Sequence, residues 1–196
     1  MNVPLIDAVI NNDIIRVNDL LAAGVDLEFR DDKGRTALLA ATQAGEETIA
    51  LALIDAGADV NAADDIQDTP FLLAAARGYD GILAACLEHD ADLESTNRNG
   101  GSALVAASGR GHVESVRMLL EAGLNVDHVN KYGWTPLIES IILGDGSERF
   151  VDIARMLLDA GANPNLADAE GLTPFQLARK HEFHDMVNLL ADAVVR

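Results

Sequence analysis

The sequence predicts an all-α solenoid of about six helix-turn-helix units. Three observations predict it. A capping residue followed by an apolar run recurs at Thr36-Ala37-Leu38, Thr69-Pro70-Phe71, Ser102-Ala103-Leu104, Thr135-Pro136-Leu137 and Thr173-Pro174-Phe175, at steps of 33, 33, 33 and 38 residues. A second marker, Gly24, Gly57, Asp90, Gly123 and Gly161, follows Leu-rich stretches at the same four steps. Apolar residues make up 49% of the chain and aromatics only 4%, which suits thin layers of Ala, Leu, Ile and Val between stacked helices better than one thick core. Two markers in register define a repeat.

The clearest copy is Asn130-Lys-Tyr-Gly-Trp-Thr-Pro-Leu137. Gly133 supplies a tight turn at positive φ, Thr135 caps the first free amides of a helix, and Pro136 fits the first helical position, where its missing N–H costs nothing. The second marker closes a second helix on a left-handed residue. In these residues the chain resembles the ankyrin-repeat family, whose units run as hairpin turn, Thr-Pro-Leu helix, reversing loop, second helix and Gly-Ala-Asp exit. The resemblance covers essentially all 196 residues. It implies a binding scaffold and leaves the partner open.

The repeats follow in order as one domain over 1–196. Residues 1–30 form an N-terminal cap, with Leu5 and Ala8 on one helix, Val17, Leu20 and Leu21 on the next, and Asn11-Asn12-Asp13 in place of the usual reversing glycine. Residues 31–63 carry Gly34 in the turn, Gly45 between helices, and Ile49, Leu53 and Ile54 on the packing face. Residues 64–96 are the least regular: Gln67 stands where glycine is usual, Asp90 closes the second helix, and Cys86 takes the slot of Leu53 and Leu119 as a small buried hydrophobe. Residues 97–129 have Gly100 and Gly101, then Gly109 and Gly111 around Arg110, and Val116, Leu119 and Leu120 on the second helix. Residues 130–167 hold five extra residues, expected as a loop around Gly144–Phe150 because both flanking markers stay in phase. Residues 168–196 form the second cap, with Glu182 replacing the interhelical glycine and Glu182, Asp185, Asn188 and Asp192 suiting an exposed face. The histidine that often follows Thr-Pro-Leu in the family is replaced by Leu39, Leu72, Val105, Ile138 and Gln176, so apolar stacking must substitute for its hydrogen bonds.

Charge and motifs narrow the function classes. With 32 acidic against 14 basic residues the formal charge is −18, which repels a phosphate backbone, so no nucleic-acid partner is expected. A lone Cys86 gives no internal disulfide and is compatible with a reducing compartment. The opening residues lack a basic segment before an apolar run and no stretch approaches a membrane span, so a cytoplasmic chain with no membrane contact is expected. His181 and His184 read as sharing a helical face near Glu182 and Asp185, but two ligands leave a zinc site unfilled, and no metal is expected. Ser108 lacks a nucleophile elbow, and Gly144-Asp145-Gly146 lacks the Gly-Lys-Ser/Thr ending of a phosphate loop. Asp26, Asp59, Asp64, Asp68, Asp90 and Asp92 fall mostly at hairpin or helix-end slots, where carboxylates satisfy turn amides. The chain therefore reads as no enzyme, with no cofactor, and as a monomer.

In the family resembled here, hairpin tips and the inner faces of first helices form one concave surface. On that surface the register puts Arg35, Ile66, Arg98, Asn99, Lys131, Tyr132 and Trp134 at tips, and Arg77, Tyr79, Arg110, His112 and Leu143 at first-helix ends. Trp134 is the only tryptophan, and Arg77, Arg98, Arg110 and Lys131 converge on the third to fifth repeats. Aromatic and arginine side chains are the usual anchors at the centre of an interface. The expectation is a protein partner whose acidic or carboxyl-bearing segment meets this basic patch. Alternatively, Trp134 packs between neighbouring tips. Two other readings are a receptor or regulatory subunit for an anionic small ligand near Arg98, Gly100, Gly101 and Arg110, and an effector that an intracellular pathogen directs into its host.

Overall fold

The computed structural model describes residues 3–194, and all regular structure among them is helical. The helices come in pairs: α1 (Val3–Ile10) and α2 (Ile14–Ala22), α3 (Ala37–Ala44) and α4 (Glu47–Asp55), α5 (Pro70–Arg77) and α6 (Asp80–Glu88), α7 (Ala103–Arg110) and α8 (Val113–Glu121), α9 (Pro136–Ile142) and α10 (Glu148–Asp159), α11 (Pro174–Lys180) and α12 (His184–Val194). Helices of seven to twelve residues are too short to be stable alone in water, so packing must hold them.

Local chemistry sets where each first helix starts. The hydroxyls of Thr36, Thr69, Ser102 and Thr135 accept the amides of Leu39, Leu72, Val105 and Ile138 at 3.3, 3.1, 3.4 and 3.2 Å. Thr173 goes further: its hydroxyl accepts the Gln176 amide, and the Gln176 side chain accepts the Thr173 amide at 2.9 Å, a reciprocal capping box. Each cap contributes about 1 kcal/mol. The turns between helices need left-handed backbone, and at four of them a residue other than glycine adopts it: Asn12, Gln67, Asp90 and Glu182 have φ of 52, 66, 57 and 59°.

The helices gather into two compact bodies. The first comprises residues up to Ala74 together with Tyr79–Asp92. In it α1 packs on α2 and α3, and α4 packs on α2, α3 and α6. Leu38, Leu53, Phe71 and Cys86 are wholly buried, and Cys86 fills the slot of Leu53 as expected. The second comprises Ala75–Gly78 and the chain from Leu93 onward. Here α7 packs on α8 and α9, α9 on α10 and α11, and α10 on α8 and α12. Leu104, Leu119, Ile138, Ile141, Leu157 and Leu190 have essentially no exposure, each contributing roughly 1.5–3 kcal/mol on burial. Ile138 and Val105, at the missing-histidine slots, are buried in this way.

Two local expectations are corrected. Only part of the five-residue insertion is loop: Glu148, Arg149 and Phe150 form an added first turn of α10, which has twelve residues where α8 has nine. Phe150 is buried, and this burial pulls the inserted residues into helix. His181 and His184 do not share a helix face, because His181 caps the C-terminus of α11 and α12 begins at His184. The left-handed Glu182 between them breaks the helix.

Candidate functional site

Each hairpin tip is organised by one side-chain oxygen. Asn130 Oδ1 accepts the amides of Tyr132 at 2.9 Å and Trp134 at 3.1 Å, and Asn97 Oδ1 does the same for Asn99 and Gly101 at 2.9 and 3.1 Å. Asp31, Asp64 and Asp168 repeat the arrangement. Their carboxylates are thus committed to backbone, as are those of Asp26 and Asp59, which cap the amides of Glu28 and Asn61. Among the described residues no three His, Cys, Asp or Glu side chains are grouped to hold a metal.

Within the second body the tips clasp one another. The Lys131 amide donates to the Asn99 carbonyl at 3.0 Å, Lys131 Nζ to the Arg98 carbonyl at 2.7 Å, and the Tyr132 hydroxyl to Asn99 Oδ1 at 3.4 Å. The Tyr132 and Trp134 rings lie 5.2 Å apart, tilted by 35°. Tyr132 is half exposed and Trp134 partly buried. These rings form one wall of a groove of about 370 Å³, whose other walls include Arg110, Glu139, Leu143 and Asn99. Trp134 and Arg110 therefore share one cleft.

Glu139, on α9, is the residue that sequence reasoning passed over. Burial pushes its carboxyl up to about 7, although a hydrogen bond from Asn130 Nδ2 at 3.1 Å and the nearby Arg110 charge pull the other way. Its signal was readable: four residues after the capping residue the other repeats carry Ala40, Leu73, Ala106 and Leu177. A carboxyl held near neutrality in a cleft is a common mark of a functional position.

A second cleft, of about 430 Å³, is lined by Arg77, Arg110, Arg149, His112, Leu143 and Phe150, along with Asp145. It shares Arg110 and Leu143 with the first. His112 Nε2 donates to the Ala76 carbonyl at 3.2 Å, and the imidazole lies against Gly78. The remaining candidates, Arg35, Ile66 and Tyr79, belong to the first body. Arg35 is held by Asp31 Oδ2 at 2.7 Å and by Gln43 at 2.6 Å, Ile66 is exposed at its tip, and Tyr79 lies against Gly45.

The profile of the ankyrin-repeats family, three copies long, matches residues 5–97 and again 71–168. The chain is an ankyrin-repeat protein. A crystal structure of an ankyrin repeat domain from Acinetobacter baumannii is 51% identical, with a TM-score of 0.94 over 97% of each chain. A second ankyrin repeat protein is 35% identical, with a TM-score of 0.93 over 97% of this chain and 98% of that one. The ankyrin repeat domain of Bcl-3, a member of the IkappaB protein family, is 28% identical, with a TM-score of 0.84 over 97% of this chain and 85% of that one. No curated protein matches significantly. Ankyrin repeats generally mediate protein–protein interaction, and the ankyrin-repeat fold is typically a non-enzymatic scaffold. Among the described residues of this ankyrin-repeat chain no helix is long and apolar enough to cross a membrane.

Proposed function

We propose that this ankyrin-repeat protein is a non-catalytic, monomeric adaptor that docks a protein partner on the tips and first-helix ends of its second body. The observation that carries the reading is the shared cleft: Trp134, Tyr132 and Leu143 line the same groove as Arg110. Among the described residues Arg110 makes no ion pair, although Glu139 senses its charge. An apolar anchor next to an unsaturated guanidinium suits a partner segment that carries a carboxylate close to an apolar side chain. The formal charge of −18 weighs against nucleic acid as that partner, and a cytoplasmic setting fits the single buried thiol.

Trp134→Ala combined with Arg110→Ala tests this. The double variant loses partner capture, while its melting temperature stays within a few degrees of the parent, because both side chains line a cleft instead of filling the core. Equal capture by the parent and the double variant would remove the groove from consideration.

A further inference from the structure

Four arginines of this chain are engaged by its own oxygens. Arg30 donates to the Gly34 and Ala63 carbonyls, Arg35 grips Asp31 and Gln43, Arg117 bridges Glu114 and Glu121, and Arg155 meets Asp152. In a chain with 32 acidic and 14 basic residues, partners for a guanidinium are plentiful. Yet among the described residues the side chains of Arg77 and Arg110 make no hydrogen bond or ion pair, and Arg149 reaches Asp145 only at 3.5 Å. Asp145 Oδ1 is meanwhile occupied by the amide of Ser147 at 3.0 Å and its hydroxyl at 2.5 Å. These three arginines line the same cleft of about 430 Å³.

Their supports come from three separate repeats. Arg77 ends α5, Arg110 ends α7, and Arg149 lies in the first turn of α10, where its guanidinium carbon sits 4.9 Å from the ring centre of the buried Phe150. Phe150 in turn closes against Gly111 and Gly144, so the platform under Arg149 is packed. The five-residue insertion thus places a third cation beside two that the regular repeats already supply.

We infer that this cleft is an anion subsite of the docking surface, and that it takes a phosphate monoester carried on a peptide segment of the partner. The inference rests on the partner being a protein, as proposed above. One carboxylate has two oxygens and a single charge, and one guanidinium satisfies it. Three arginines lining a cleft that holds the single carboxylate of Asp145 match a dianion with three acceptor oxygens better. Arg110 and Leu143 also line the Trp134 groove, so a neighbouring apolar side chain of the same segment reaches the aromatic wall.

The test uses the full chain and three fluorescein-labelled heptapeptide pools, random except for a central phosphoserine, glutamate or serine, read by fluorescence anisotropy. The phosphoserine pool binds about tenfold more tightly than the glutamate pool, and Arg77→Gln or Arg149→Gln each weakens it about tenfold, the loss expected for one charge-assisted contact. Neither residue lines the Trp134 groove, so these variants report on the subsite, whereas Trp134→Ala weakens all three pools alike if the docking reading holds. Equal binding of the phosphoserine and glutamate pools, or indifference to both Gln variants, overturns the inference. Displacement of the phosphoserine pool by equimolar inorganic phosphate would also overturn it, by making the cleft a receptor for the free anion.

Discussion

Replacing Glu139 with glutamine tests the electrostatics of the groove without emptying it. Burial lifts the Glu139 carboxyl from 4.5 to about 7, against the opposing hydrogen bond from Asn130 and the Arg110 charge. Below pH ~4 both folded and unfolded chains hold the proton and the residue is neutral in its effect on stability. As pH rises through 4.5 the unfolded chain releases it first, so folding loses stability until the folded carboxyl ionises near 7, after which the loss is constant. At ~1.4 kcal/mol per pKa unit the ceiling is about 3 kcal/mol, and solvent screening at a partly open cleft reduces it to about 2 kcal/mol. In the Glu139→Gln variant the new side chain is uncharged at every pH, and its carbonyl oxygen can still accept from Asn130 Nδ2. The variant is therefore more stable than the parent by about 2 kcal/mol at pH 8, and the advantage shrinks as pH falls towards 4. Urea unfolding followed by circular dichroism measures it, with unchanged m-values showing that the same surface is exposed. A stability difference between variant and parent that is the same at pH 4 and pH 8 would refute the reasoning.

Three further outcomes follow from single positions. Asp90→Gly relieves a left-handed residue whose side chain is exposed, and it keeps the carbonyl that accepts from Asn61 Nδ2 at 3.0 Å, so the chain gains ~0.5 to 1 kcal/mol in urea unfolding. A loss instead would mean that Asp90 makes a specific contact. Ser108→Ala removes a hydroxyl that is wholly buried in α7 and has no hydrogen-bond partner, which raises stability by about 1 kcal/mol; a drop in melting temperature would show that the hydroxyl is satisfied after all. Burial pushes the Cys86 thiol up to about 12, so the folded chain resists a thiol-reactive dye at pH 8 and labels only on unfolding. Rapid labelling of the native chain would contradict this.

Much of the fold was legible because each turn and cap is a local transaction between neighbouring residues. Thr36, Thr135 and Thr173 announce their helices, and Gln67, Asp90 and Glu182 betray left-handed turns by standing at glycine's place in the register. The remainder depends on packing, or on a turn residue that outweighs helical spacing. The insertion reads as loop by its glycines, yet Ser147 precedes Glu148 as an N-cap residue precedes an acidic first turn, and the burial of Phe150 draws the segment into helix. Spacing alone puts His181 and His184 on one face, but the left-handed Glu182 between them separates two helices. In the candidate site, Trp134 and Arg110 are legible as residue types at fixed repeat slots. Arg149 is not, because it lies in the insertion and has no counterpart in other repeats, and only tertiary packing brings it to Arg77 and Arg110. Glu139 was one polar letter within Pro-Leu-Ile-Glu-Ser-Ile-Ile, and its consequence depends on burial that no spacing rule reports.

The central claim is that the groove between Trp134 and Arg110 holds a protein. Its most direct measurement is quantitative affinity capture from native lysate on immobilised parent chain and on the Trp134→Ala, Arg110→Ala double variant, with melting temperatures recorded for both. If the groove docks a protein, the parent retains a stoichiometric protein that an equally stable double variant loses. Retention of the same protein in the same amount by both chains would contradict it.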